Sequence, residues 1–102
     1  MLEKDIQKQI MDLLEYKHIF AWVNKTQGTY SVKRKAFIKT KMKKGVSDIL
    51  GILPDGRFLA IEVKKPGNKP TDEQKAFIWD INSRGGVAFW ADDVKIVKEM
   101  LP

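Results

Sequence analysis

The sequence predicts an α/β fold in which helices flank a mixed central sheet. Three observations support this prediction. Apolar residues recur at helical spacing near the start of the chain, two segments rich in branched residues meet at a short turn, and a helical segment separates them from another apolar strand. Because the two central strands arrive as a hairpin, the pattern favours an α/β sandwich over a doubly wound parallel sheet.

The composition is typical of one small globular domain. The chain has 102 residues, 43% of them hydrophobic and 31% charged, which predicts a single domain over residues 1–102. There is no cysteine, so disulfides and thiolate metal sites are excluded. No apolar run approaches the roughly 20 residues of a membrane helix, and no secretory signal pattern is present. We therefore expect a cytoplasmic protein with no membrane partner.

The charge of the chain is unevenly distributed. The net charge is +6, and eight basic residues fall between positions 25 and 44 with no acidic residue among them. Such a run repels itself unless a polyanion binds it, and phosphates gain free energy from counterion release. A solvated surface is the alternative. The expected phosphate contacts are Lys43 and Lys44, followed by Lys33, Arg34 and Lys35.

The first predicted element is an amphipathic helix over residues 2–17. Its apolar residues form a stripe that faces the core, and Glu3 lies on the inner edge of that stripe. A short strand is predicted over residues 20–24, and Gly28 separates it from a basic segment at 29–39. The pattern does not distinguish a strand from a mobile arm in that segment.

The two central strands are predicted in VSDILGIL (46–53) and RFLAIEVK (57–64). The turn between them is Pro-Asp-Gly, in which proline presets φ and glycine accepts the left-handed conformation. A three-residue loop and antiparallel register place Asp48 opposite Glu62, with Cβ atoms about 4.5–5.5 Å apart. Period-two alternation turns Lys64 to the same face. The pattern therefore predicts three ionisable groups in one small patch.

Two opposed carboxylates destabilise a sheet unless a cation or a shared proton compensates them. A cation is the simpler compensation, and oxygen ligands favour Mg²⁺, with Mn²⁺ as a substitute. Both ions also bind phosphate oxygens, so the expected substrate is a phosphodiester. Lys64 would then position or deprotonate the attacking water and stabilise charge on phosphorus. The alternative is that these are solvent-facing charges on an exposed sheet face.

The second half of the chain predicts a helix, a strand and a helix. Thr71 and Gln74 have the spacing of a capping box that opens a helix over residues 72–84. VAFWA (87–91) is a buried strand, and Asp93 caps the last helix. Four large aromatic residues are expected mostly in the core, with some apolar area left for a partner: Trp22, Trp79, Phe89 and Trp90.

The order of aspartate, turn and Glu-x-Lys on paired strands resembles the signature of the PD-(D/E)xK nuclease superfamily. Ser47 stands where many members have proline. More specifically, GVSDILGI, AIEVKKPGNKPTDEQKAFIWDINSRGG and an N-terminal helix bearing Glu3 resemble the VRR-NUC family over nearly the whole chain. The resemblance implies a restriction-endonuclease-like core of the αβββαβ type.

The resemblance also implies roles for individual residues. The implied catalytic residues are Asp48, Glu62, Lys64 and Gln74. The implied metal ligands are the side chains of Glu3, Asp48 and Glu62 and the backbone carbonyl of Val63. Glu3 would bind the metal directly or through water, and Gln74 would orient the water or Lys64. The alternatives are structural, since Glu3 also favours the helix dipole and Gln74 also completes a capping box.

The function that the resemblance implies is a Mg²⁺-dependent DNA endonuclease. A short chain of this kind is similar to phage and bacterial members of the family, which implies a homodimeric resolvase of branched DNA such as Holliday junctions, in a bacterial or phage-infected cell. A two-fold dimer supplies two sites for a symmetric junction. Two alternatives stay open: a non-catalytic basic DNA-binding module, and a nicking or restriction-like nuclease acting on ordinary duplex DNA.

Overall fold

The computed structural model describes residues 1–24, 29–31, 36–38 and 43–102. The elements in chain order are α1 (Glu3–Tyr16), β1 (Phe20–Val23), β2 (Thr29–Ser31), β3 (Ala36–Ile38), β4 (Ile49–Ile52), β5 (Phe58–Val63), α2 (Asp72–Ser83), β6 (Val87–Ala91) and α3 (Val94–Met100). None of the helices in these ranges has the length and apolar character that a membrane crossing requires.

Four strands form one mixed sheet in the order β1, β4, β5, β6. The pairs β1–β4 and β4–β5 are antiparallel, whereas β5 and β6 are parallel because the connection through α2 returns the chain to the same end of the sheet. In the basic segment, β2 and β3 pair with each other in an antiparallel two-stranded sheet. The predicted α/β class with a mixed sheet, a hairpin and flanking helices is confirmed, and it agrees with a restriction-endonuclease-like core.

Helices cover both faces of the sheet. On one face α1 buries Ile6, Ile10 and Leu14 against a cluster that includes Ile61 and Val63 of β5, and α3 adds Val97 to the same cluster. On the other face α2 packs against β5 and β6 through a second, smaller cluster of Phe77, Ala60 and Ala88. Alternation along β5 therefore turns Glu62 and Lys64 toward the face that carries α2.

The first turn of α2 is anchored on both sides. The capping box is present. The Thr71 hydroxyl accepts a hydrogen bond of 3.2 Å from the backbone amide of Gln74, and Oε1 of Gln74 accepts one of 2.8 Å from the backbone amide of Thr71. Gly45, at φ +79°, packs so closely that a Cβ there would collide with the Glu73 carbonyl oxygen. The loop before β4 and the start of α2 are therefore held together, which places Gln74 beside the hairpin.

The expectation of mostly buried aromatic residues is wrong for two of them. Phe89 is buried, but Trp79 is 68% exposed and Trp22 is 38% exposed. Trp79 lies two positions after the buried Phe77, a rotation of about 200° around the helix. Its side chain therefore faces away from the sheet. Trp22 lies on β1, at the edge of the sheet that α2 leaves uncovered.

Candidate active site

The hairpin of β4 and β5 has the predicted register. Ile49 pairs with Ile61, and continuing the pairing by one step sets Asp48 opposite Glu62. Gly56 in the turn has φ +92°, a conformation that glycine adopts without strain. The turn thus fixes which residues of the two strands face each other, and the two carboxylates converge as the spacing predicts.

Asp48 is held by the strands on both of its sides. Its Oδ2 accepts a hydrogen bond of 2.8 Å from the amide of Val63 on β5. Its carbonyl oxygen accepts one of 2.7 Å from the amide of Asn24, just beyond the end of β1. Hydrogen bonds from backbone amides orient a carboxylate without adding a counter-charge. The Asp48 carboxylate is therefore fixed in place by hydrogen bonds that bring no positive charge with them.

Glu62 is the buried centre of the site. Its residue surface is only 2% exposed, so the reading of these residues as solvent-facing charges is wrong. Oε2 accepts from Nε2 of Gln74 at 3.2 Å and lies 3.6 Å from Nζ of Lys64. Oε1 is buried and has no hydrogen-bond partner among the described residues. One oxygen of this carboxylate is thus engaged, and the other is left without a ligand.

The surroundings of Glu62 disfavour its ionised form. Burial, followed by the hydrogen bond and the charge of Asp48, raises the pKa of Glu62 to about 8. The charge of Glu3 raises this pKa further, whereas the ammonium of Lys64 lowers it. At neutral pH the Glu62 carboxyl group therefore favours its protonated, uncharged form when no cation is bound.

The donor set fits a hard divalent cation. Mg²⁺ is commonly bound by one or two protein carboxylates and keeps its remaining positions for water and substrate phosphate. Asp48 and Glu62 supply two carboxylates, and the unpartnered Oε1 of Glu62 is an acceptor that a cation would satisfy. In the described part of the chain, no three His, Cys, Asp or Glu side chains cluster as a metal cage would require. Asp48 and Glu62 are thus the two carboxylates of the described residues that would hold the cation.

The other predicted site residues are Glu3 and five basic residues. Glu3 is exposed at the first position of α1 and acts on Glu62 through its charge. Lys43 and Lys44 are exposed in the loop that leads to Asp48. The predicted phosphate contacts Lys33, Arg34 and Lys35 lie outside the described residues.

The structure also places beside Asp48 one residue that the sequence patterns did not single out for the site, and it buries the hydroxyl of the residue before Asp48. The sheet register sets Asn24 opposite Asp48, and the Nδ2 atom of Asn24 is buried without a partner among the described residues. The only sequence signal for it was an amide residue at the end of a strand. Ser47 is fully buried, with an equally unpartnered hydroxyl, and nothing in the structure explains that hydroxyl.

Gln74 has two separable tasks, which a single substitution distinguishes. Its Oε1 completes the capping box, and its Nε2 donates to Glu62. In Gln74→Glu the new carboxylate still accepts the capping hydrogen bond, but it has no N–H to donate to Glu62. It also adds a third carboxyl group beside Asp48 and Glu62. We expect the variant to fold with a melting temperature near that of the wild type. The nuclease activity that the sequence resemblance implies should fall at least about tenfold, because Glu62 is oriented less firmly.

Thr71→Ala is the matched control for Gln74→Glu. It removes the capping hydroxyl and should cost about 1 kcal/mol of stability, while the bond from Gln74 to Glu62 stays in place. Thermal unfolding and cleavage rates measured on both variants separate the two tasks. Full activity in Gln74→Glu would show that Gln74 serves the helix alone.

The chain also matches a protein-family model. The model of the VRR-NUC domain matches residues 1–92, a range that includes the hairpin, the first turn of α2, and Asp48, Glu62, Lys64 and Gln74. No curated protein matches the chain.

Proposed function

Because the chain belongs to the VRR-NUC family of nuclease-type domains, we propose that it is a Mg²⁺-dependent endonuclease that hydrolyses phosphodiester bonds in DNA. One observation carries the proposal: the buried Glu62 lies opposite the half-buried Asp48, with a lysine ammonium 3.6 Å from its carboxylate and, among the described residues, no hydrogen-bond partner for its second oxygen. A purely structural sheet gains nothing from such an arrangement, because buried charges cost free energy unless they are fully paired.

The carboxylates of Asp48 and Glu62 would hold the cation, together with the backbone carbonyl of Val63. When bound, Mg²⁺ would lower the pKa of a water and neutralise charge on the scissile phosphate. Asp48 is oriented for this task by the Val63 amide, and Glu62 is oriented by Gln74. Glu3 lies close enough to influence Glu62 electrostatically and would bind through a water.

Lys64 would act on the substrate itself. Its side chain is mostly buried and projects from β5 on the same face as Glu62. In that position the ammonium would position the attacking water and stabilise the negative charge that develops on the phosphoryl oxygens. The water oxygen bonds to phosphorus, one phosphorus–oxygen bond breaks, and the departing alcohol takes up a proton. The products are a phosphomonoester and a hydroxyl end.

The test is cleavage of a panel of labelled DNA forms with Mg²⁺ and with a chelator. The panel contains single-stranded, duplex, flap and four-way DNA together with supercoiled plasmid. Metal-dependent products on any form support the proposal, whereas binding without cleavage on every form would identify a non-catalytic DNA-binding module. Equal rates on linear duplex and branched DNA would instead identify a nicking or restriction-like nuclease.

The finer proposal is that the preferred substrate is branched DNA and that the active form is a homodimer in the cytoplasm. A symmetric junction requires two cuts, and a two-fold dimer supplies two active sites for them. The exposed Lys43 and Lys44, with Lys33, Arg34 and Lys35, would bind the phosphates of the arms. Sedimentation of the protein, alone and with a four-way junction, measures the stoichiometry directly.

A further inference from the structure

β1 carries an exposed aromatic pair on the face of the sheet that holds the active site. Asn24, opposite Asp48, is followed toward the start of the strand by Trp22 and then Phe20 on the same face. Each step of two residues is about 6.5–7 Å along a strand. The rings of Phe20 and Trp22 are in contact, with centroids 5.4 Å apart and planes inclined by 52°.

The aromatic pair is open to solvent. Phe20 is 67% exposed and Trp22 is 38% exposed, and Ile52 beside Phe20 is 41% exposed. These residues lie on the half of the sheet that α2 does not reach, since α2 packs against β5 and β6. A small domain gains free energy by burying such side chains, so their exposure indicates a surface that a partner covers.

We propose that the aromatic pair stacks against an unpaired base of the DNA next to the phosphate that is cut. This inference rests on the proposed function, which it deepens by naming the feature of DNA that the site selects. Stacking on tryptophan and phenylalanine accepts any base, because every base presents a π face. The protein would therefore recognise unpaired structure rather than sequence.

The distance between the aromatic pair and the carboxylates matches this occupant. Trp22 lies two residues along β1 from Asn24, whose register partner is Asp48. Trp22 is therefore about 6.5–7 Å along the strands from the level of the carboxylates, and one or two strand spacings of about 4.8 Å across the sheet from them, which is a reach of about one or two nucleotides. A base stacked on Trp22 would thus be attached to a phosphate at the carboxylate pair, or to the next one along the strand.

Charge favours a nucleic acid over a second protein surface. The chain turns from β1 directly into the segment between residues 25 and 44, in which eight basic residues stand without an acidic one. Lys43 and Lys44, at the far end of that segment, are exposed just before Asp48. Exposed aromatic side chains and basic residues are the two features that single-stranded nucleic acid binds, through stacking and phosphate contacts.

The area of the patch also favours a base. The exposed fractions of Phe20, Trp22 and Ile52 amount to roughly 300 Å², given the 150–250 Å² that each large side chain buries. A stable protein interface takes about 800 Å² from each partner. The patch therefore has the size of one or two bases and is too small to hold a dimer by itself.

The test measures DNA binding by Trp22→Ala in the presence of a chelator, so that no cleavage occurs. Fluorescence anisotropy of a labelled single-stranded oligonucleotide should show binding about 5- to 150-fold weaker than that of the wild type, the range that corresponds to roughly 1–3 kcal/mol per stacked base. Phe20→Ala should also weaken binding of the single-stranded oligonucleotide. Trp22→Phe should restore most of the affinity because it keeps an aromatic face. Fully paired blunt duplex should bind all variants alike.

Trp79→Ala is the matched control, since Trp79 is exposed on the outer side of α2 and away from the carboxylates. It should leave binding unchanged. Wild-type affinity in Trp22→Ala, or an equal loss on blunt duplex, would overturn the inference. So would sedimentation showing that Trp22→Ala turns a dimer into a monomer, which would identify a subunit contact. Because binding is measured without metal, these outcomes do not depend on whether the protein cleaves DNA.

Discussion

Lys64→Ala is expected to reduce DNA cleavage by about 100- to 10,000-fold, the range observed when a transition-state donor or a general acid–base group is removed. The ammonium lies 3.6 Å from Oε2 of Glu62 and is directed into the site from β5. Its loss removes the positive charge that faces the developing phosphoryl charge. DNA affinity should change little, because the exposed basic residues provide the long-range attraction.

The measurement is the single-turnover cleavage rate with saturating Mg²⁺, together with DNA affinity in a chelator. Lys65→Ala is the matched control. Lys65 is the next residue and carries the same charge, but it is exposed and alternation turns it away from the face that holds Glu62. It should cleave at nearly the wild-type rate. An undiminished rate in Lys64→Ala would refute the catalytic assignment of this lysine.

Glu62→Gln is expected to remove metal-dependent cleavage and, in the absence of metal, to stabilise the fold at alkaline pH. The amide keeps the shape of the side chain and carries no charge that burial beside Asp48 would penalise. It is, however, a much weaker ligand for a hard cation than a carboxylate. The same substitution should therefore improve stability and destroy function.

The sign of the pH effect follows from the pKa of Glu62. Its value in the folded protein, about 8, lies above the ordinary value of 4.5, so between these two pH values the folded state binds more protons than the unfolded state. Stability without metal should therefore fall as the pH rises from about 5 to about 8, by on the order of a few kcal/mol. Glu62→Gln should flatten that part of the profile.

Denaturant unfolding at a series of pH values in a chelator measures this profile. Glu99→Gln, which changes an exposed carboxylate of α3, is the control and should follow the wild type. Adding Mg²⁺ should stabilise the wild type at pH 8 and should stabilise Glu62→Gln much less, because a ligand stabilises only the state that binds it. A wild-type stability that rises across the same pH range would contradict the raised pKa of the buried Glu62.

The local elements of the fold were predictable because short-range rules determine them. The Pro-Asp-Gly turn sets the register of the hairpin, and with it the pairing of Asp48 and Glu62. The capping box sets the start of α2, and Asp93 caps α3 through the Lys95 amide at 2.8 Å. Each of these features depends on residues that are neighbours in the chain or that a single turn brings together.

Long-range packing decided which residues of the sheet are buried and which stay exposed, and spacing rules do not predict this. The position of α2 over β5 and β6 buries Glu62 and brings Nε2 of Gln74 to it, and the same position leaves Trp22 uncovered on β1. A helical or alternating pattern shows which face of an element is apolar, but it does not show how much of a sheet that element covers.

The sequence by itself therefore determined the class of the fold, the hairpin register and the three ionisable residues that meet on one face. The tertiary structure alone decided that this face is buried at Glu62 and that Asn24 lies beside Asp48. It also decided that one oxygen of Glu62 has no hydrogen-bond partner within the described part of the chain. The physical reason is that register follows from local geometry, whereas burial, and the pKa that burial raises, depends on which distant elements exclude water.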